Sequence, residues 1–158
     1  MEFLDVEINK EIFIKLIVIS VIVVIAYLAF TMSSLLIFKS YTLGPNTSVN
    51  AENINMHIDL LEPSPKKVEI AGWAYKEGEP ITNVNCNYVL KHQESEKMYL
   101  MRTKMENNIN IEDENLKKAG IHAQCLILGI PRGWYDIYVL YQNGEEDILA
   151  NTLISVEL

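Results

Sequence analysis

A stretch of 23 residues without a single charge, Leu16 to Phe38, constrains this chain more than anything else in it. Its densest part, residues 16 to 30, reads Leu-Ile-Val-Ile-Ser-Val-Ile-Val-Val-Ile-Ala-Tyr-Leu-Ala-Phe. As a helix rising ~1.5 Å per residue the run reaches roughly 35 Å, enough for a hydrocarbon core of ~30 Å. Its β-branched residues do not forbid a helix, because in lipid every backbone polar group must be bonded within the segment. Lys15 and Lys39 bracket it, and their ammonium groups can extend to the two interfaces. A buried core helix is the soluble alternative, but so long a run without charge exceeds what such a core asks for. A cleaved signal peptide would carry a shorter apolar region followed by a small-x-small site. Here Ala26-Tyr27-Leu28-Ala29 lies inside the run, and Ser40-Tyr41-Thr42-Leu43 after it has no Ala-x-Ala. The expectation is an uncleaved transmembrane helix over residues 16–38.

Lys10 and Lys15 precede the span and Lys39 alone follows it closely, which favours an N-terminus inside. Glu2, Asp5, Glu7 and Glu11 do not decide the matter, since acidic residues count for little in this rule. Residues 1–15 are then a short cytoplasmic tail, and the long C-terminal part is extracytoplasmic on a single-pass protein of the cell membrane. A type IV pilin would need a basic leader ending in Gly and an early Glu in the apolar run. Residues 1–15 hold no Gly and residues 16–38 no Glu.

The whole chain has 158 residues, 49% hydrophobic, with a net charge of -8. That is too apolar for a disordered chain, and its acidity argues against nucleic acid as a partner. Two cysteines are too few for a disulfide-dense scaffold or a four-cysteine zinc site.

Residues 39–53 are polar with a Gly44-Pro45 break and read as a linker. Asn46-Thr47-Ser48 matches a glycosylation sequon by pattern alone. From Ile54 the apolar period becomes two, and residues 54–158 read as a β domain. Ile54, Met56, Ile58 and Leu60 alternate with polar residues, and Glu62-Pro63-Ser64-Pro65 turns the chain. Further strands follow over residues 67–75, 84–90, 97–103, 121–127, 135–141 and 148–156. Asn143-Gly144 marks the last hairpin. Ile111 to Lys118, with Asp113, Glu114, Lys117 and Lys118, reads as a short solvated turn of helix or a loop. About seven strands in a hundred residues predict a mainly β protein: a single transmembrane helix followed by an immunoglobulin-like antiparallel sandwich.

Cys86 and Cys125 both fall on inward faces, where they could meet as a disulfide or remain two buried thiols. Neither has a Cys or His partner at ligand spacing, so no metal site is expected. His57 and His122 alternate with core positions and His92 lies in a charged loop, so all three should face solvent. Glu145-Glu146-Asp147 reads as a solvated hairpin. No nucleophile, base and orienting group are discernible, and neither an enzyme nor a cofactor is expected. Trp73, on a strand, should supply core bulk. Trp134 and Tyr135 stand just after the Pro131-Arg132-Gly133 turn and are the candidate binding residues, with edge packing as the alternative.

Gly72-Trp73-Ala74-Tyr75, Tyr88-Val89-Leu90, Gly120-Ile121 and Gly133-Trp134-Tyr135-Asp136-Ile137 follow one another in a spacing with a known likeness. Over residues 54 to 156 the chain resembles extracytoplasmic immunoglobulin-like β-sandwich domains of Gram-positive bacterial cell-envelope membrane proteins. It departs where such domains carry Arg-x-Asp-Val, having Asn108-Ile109-Asn110-Ile111 instead. The resemblance implies an envelope domain, in some cases one that accompanies cell-surface glycan assembly. The expected function is therefore binding or scaffolding at the bacterial envelope, with the membrane and a surface glycan as partners. The alternative is a structural subunit that meets another membrane protein through Ser20, Thr31, Ser33 and Ser34 of its helix.

Overall fold

The computed structural model describes residues 10–35, 37–49, 53–81, 84–107, 117–144 and 146–158. It divides into a helical unit ending at Leu35 and a β unit from Leu36 to Leu158. The helix α1 spans Lys10–Leu35, and its stretch Ile12–Thr31 is long and apolar enough to cross a membrane. Every side chain from Ile12 to Phe30 is exposed, an apolar surface all round the helix rather than a single stripe. The Thr31 hydroxyl donates back to the carbonyls of Tyr27 and Leu28, the usual way for a hydroxyl to be satisfied inside an apolar helix.

The helix stops short of the end of the charge-free run. Ile37 makes a bridge to Leu126, and Phe38 is buried among the core residues of the β unit. An unbroken apolar sequence thus hides a change of surroundings, from an exposed helix to a packed interior. Residues 39–53, read as a linker, also contribute strands. These are β1 (Lys39–Tyr41) and the two-residue β2 (Thr47–Ser48).

The seven expected strands appear as β3 (Ile54–Pro63), β4 (Lys67–Lys76), β5 (Asn85–His92), β6 (Met98–Met101), β8 (Gly120–Leu126), β9 (Trp134–Gln142) and β10 (Asp147–Glu157). A short β7 (Lys104–Glu106) precedes β8. Of the expected helix over 111–118, residues 111–116 lie outside the described residues. Lys117–Ala119 forms one 3-10 turn.

The strands make two sheets. One has four antiparallel strands in the order β3-β4-β8-β7. The other has six, β1-β6-β5-β9-β10-β2, and is mixed because β2 runs parallel to β10. Alternation explains how one core serves both. Val68, Ile70 and Ala74 of β4 point inward from the first sheet, and Tyr88, Ile137 and Val139 from the second. Fully removed from water, each valine or isoleucine among them contributes about 1.5–3 kcal/mol before its entropy cost. β5 lies between β6 and β9, and its residues 86 to 90 are buried on both faces. Its outward Val89 joins Leu140 and Leu149 in a second apolar cluster, edged by the partly buried Tyr41, Met98, Leu100 and Tyr138.

Both long outer strands are kinked. β3 slips register between Ile58 and Leu60, and β10 between Asn151 and Ser155. In the β10 bulge Leu153 adopts φ 60° and is 89% exposed. Polar side chains hold that bulge: Asn151 Oδ1 accepts the Leu153 N–H at 2.8 Å, and the Thr152 hydroxyl donates to the Ile137 carbonyl at 2.7 Å.

Candidate functional site

The segment from Ile127 to Gly133 carries the chain from β8 in one sheet to β9 in the other, and delivers Trp134 and Tyr135 at the start of β9. Alternation separates the two. Tyr135 turns inward with no exposed surface, while Trp134 turns outward and is 51% exposed. The Tyr135 hydroxyl donates to the Pro131 carbonyl at 2.6 Å, tying the loop to the strand it feeds. Burial pushes this phenol up to about 12, with Tyr99 adding to the effect. Of the two residues singled out by the sequence, Trp134 alone presents a ring to solvent.

His92, expected on the surface, is 3% exposed and belongs to the same corner. Its Nδ1 accepts the Ser95 N–H at 3.1 Å, which leaves the proton on Nε2 to donate to the Arg132 carbonyl at 3.3 Å. The ring stands edge-on to Tyr135 with centroids 4.9 Å apart. The charged residues around it hid a histidine whose two nitrogens find backbone and hydroxyl partners close by. Gly133 makes room for it: at φ 141° a Cβ there would sit 2.9 Å from His92 Nε2.

The outer face of the four-stranded sheet is built from the other parity of the same strands. On β4 the outward residues are Lys67, Glu69, Ala71, Trp73 and Tyr75. Trp73 is therefore half-buried on the outer face rather than in the core where the sequence reading put it; Gly72 and Ala74 are its inward neighbours. Its ring stacks on Tyr75 at 5.7 Å and 23°, and lies 6.1 Å from the ring of His57 on β3. Gly72 is required for a separate reason. The β3 bulge brings the His57 carbonyl so close that a Cβ on Gly72 would lie 2.1 Å from its oxygen.

Beside the rings lies a dent of about 150 Å³, lined by Asp59, Ala71, Gly72, Glu106, Asn107, Gly120, Ile121 and His122. Ala71 and Gly120 leave it open because neither has a side chain long enough to fill it. On its far flank Glu69 gathers three donors: Lys67 Nζ at 3.1 Å, His122 Nε2 at 3.0 Å and Gln124 Nε2 at 3.1 Å. The Lys67 and His122 contacts hold the Glu69 carboxyl below its ordinary range. Glu106 and Asp59 are less engaged. Glu106 meets Lys104 at 3.4 Å and His122 at 3.8 Å, and Asp59 meets His57 at 3.8 Å.

Cys86 on β5 and Cys125 on β8 are both fully buried and stand as separate thiols. Burial pushes the first up to about 12 and the second to about 11, which keeps both protonated and unreactive. At the other end of the sheets, Lys76 pairs with Glu79 at 2.7 Å and with Glu146. Lys76, then Asn143 and Tyr141, hold the Glu79 carboxyl below its ordinary range. Of the acidic run at 145–147, Glu145 lies outside the described residues, and Glu146 and Asp147 serve the hairpin through Lys76 and Gln142. Among the described residues no group of three His, Cys, Asp or Glu could hold a metal ion.

Compared with protein-family models, with curated proteins and with solved structures, the chain matches none.

Proposed function

We propose that this is a single-pass protein of the bacterial cell membrane, anchored by α1. On this reading an immunoglobulin-like sandwich outside the cytosol binds or scaffolds at the envelope and serves surface glycan assembly. Strand order carries the sandwich reading. Lettered from β3 as A, B, C, C′, D, E, F and G, the four-stranded sheet runs A-B-E-D and the central strands of the other run C′-C-F-G. That order supports an immunoglobulin-like arrangement with one added strand. Tyr135 at the start of strand F, bonded back to Pro131, matches the tyrosine corner of the same fold. The cysteines depart from the pattern, standing on C and E instead of B and F. The exposed apolar surface of α1 supports the anchor, and the lysine distribution around it supports the orientation.

Protease added to intact cells tests this reading. The β unit should be digested while α1 stays with the membrane fraction. A protected β unit, or a chain recovered in the soluble fraction, would remove the proposal.

The second apolar cluster favours a second reading, a structural subunit docking on a partner protein. On the outer face of the six-stranded sheet the partly exposed Tyr41 and Tyr138 edge the buried Val89, Leu140 and Leu149, and these tyrosines are what a partner would meet. Co-purification of a second protein in mild detergent, lost on Tyr138→Glu, would support it. A lone monomer would count against it.

A further inference from the structure

We propose that the outer face of the four-stranded sheet binds one ring of a neutral sugar, seated in the dent beside Trp73 and held by Asp59, Glu106 and His122. This deepens the envelope-binding reading by giving it a site and a ligand class, and it moves that site away from Trp134.

Three observations converge. The first is an aromatic row on a face that is otherwise polar. Trp73 stacks on Tyr75 and neighbours His57, yet all three leave from the solvent side of their strands. Residues whose work is core packing would sit on the opposite parity, with Ile70 and Ala74. A partly exposed indole offers flat apolar surface on which the C–H groups of a sugar ring can lie.

The second is the dent itself. Trp73 pairs across strands with Gly120, and Ala71 with His122, so small residues alternate with large ones and leave a hollow between them. Its volume of about 150 Å³ is well below the ~300–1,000 Å³ of a drug-sized pocket and suits a single small ring.

The third is hydrogen-bonding capacity of the right kind. Asp59 and Glu106 line the dent, and among the described residues their ion-pair contacts are long, 3.4 Å or more. Each can therefore accept from hydroxyl groups, two at a time where these are vicinal. Asn107 lines the same dent and adds a donor through its amide, while His122, whose Nε2–H is given to Glu69, offers Nδ1 as a further acceptor. Glu69, by contrast, is saturated by Lys67, His122 and Gln124 and serves to hold the His122 ring in place.

Charge selects among sugars. The site carries Asp59 and Glu106 on a chain of net charge -8, so a phosphate- or uronate-bearing polymer would be repelled. A neutral hexose or N-acetylhexosamine meets no such cost.

The full-length protein in detergent micelles, carrying Trp134→Phe, leaves Trp73 as its sole indole. Titration with the β-1,4-linked tetramer of N-acetylglucosamine and with maltotetraose reports on that ring by fluorescence. At least one neutral tetramer should shift and quench the emission, and an anionic poly(glycerol phosphate) should not. In the otherwise native chain, calorimetric affinity should fall at least tenfold for Trp73→Ala and for Asp59→Asn with Glu106→Gln. It should also fall in Ala71→Gln, which fills the dent from an outer-face position and should leave the core intact. Trp134→Ala should bind as before. Silence of Trp73 toward both neutral tetramers would overturn the proposal. So would equal binding of the anionic polymer, or a loss confined to Trp134→Ala. These outcomes are separable from the membrane reading, because protease access on intact cells is measured without any sugar.

Discussion

Gly72-Trp73 and Gly133-Trp134 are the same dipeptide with opposite roles. In the first, the glycine is buried mid-strand under the β3 bulge and the tryptophan leans on Tyr75 across the outer face of the four-stranded sheet. In the second, the glycine closes a loop against His92, and the tryptophan is a 51% exposed ring at the first position of β9. What differs is the neighbour across the strand. Gly72 meets a backbone carbonyl that cannot yield, whereas Gly133 meets the far end of a side chain. The chemistry of a dipeptide therefore says little until its sheet partners are known.

The comparison can be broken most directly at its glycines. Gly72→Ala should cost the most, at or beyond the upper end of the ~1–3 kcal/mol typical of overpacking, because β3 itself must move. Gly133→Ala combines a positive φ with a ring that can shift, and should cost less, about 1–2 kcal/mol. Urea unfolding of both variants measures the difference, and equal midpoints would show that the β3 bulge is softer than its geometry implies.

Next comes the residue beside each tryptophan. Tyr135→Phe removes the hydroxyl that ties Pro131 to β9 and should lose about 1 kcal/mol in the same experiment. Near the first tryptophan, Glu69 should show itself through pH. Its carboxyl is held below the ordinary value by Lys67 and then His122, so its contribution is complete above the unfolded value. It is lost as pH falls through the lower, folded one. Glu79, held low by Lys76, acts in the same direction. Thermal unfolding of Glu69→Gln should therefore be flatter than wild type below about pH 4.5. Unchanged slopes would mean the donors around Glu69 do not persist in solution. The smallest effect belongs to Trp134→Ala, within about 0.5 kcal/mol of wild type, since its ring is half in solvent and away from the main core. A larger loss would show that Trp134 is covered by something other than water.

Much of the fold was legible. The strands over 54–63, 67–76, 85–92 and 134–142 follow from alternation, and Asn143-Gly144 correctly separates β9 from β10. The kinks were not legible. Nothing in Asn151-Thr152-Leu153-Ile154 announces that an apolar residue will adopt φ 60° and stand 89% exposed, because the hydrogen bonds that hold it there run to Ile137 and within the bulge. β1 and β2 were read as linker for a related reason. Lys-Ser-Tyr and Thr-Ser have no apolar pattern of their own and become strands only beside β6 and β10. The candidate site was read less well than the fold. Trp134 does present its ring to solvent, but Tyr135 went to the core and Trp73 came out of it. The signal was available in part, since Trp73 shares its parity with Lys67 and Glu69.

The sequence by itself determined the elements: an apolar helix long enough to cross a membrane, then short strands with turns where Gly, Pro and Asn-Gly allow them. Those follow from periods of 3.6 and 2 residues, which the backbone imposes locally on any chain. Only the tertiary structure decided which parity of each strand became core, which strands lay at the edges, where a bulge pressed on Gly72, and which groups came to surround Trp73. Those outcomes depend on residues far apart in the chain meeting across a sheet, and no local pattern records the meeting.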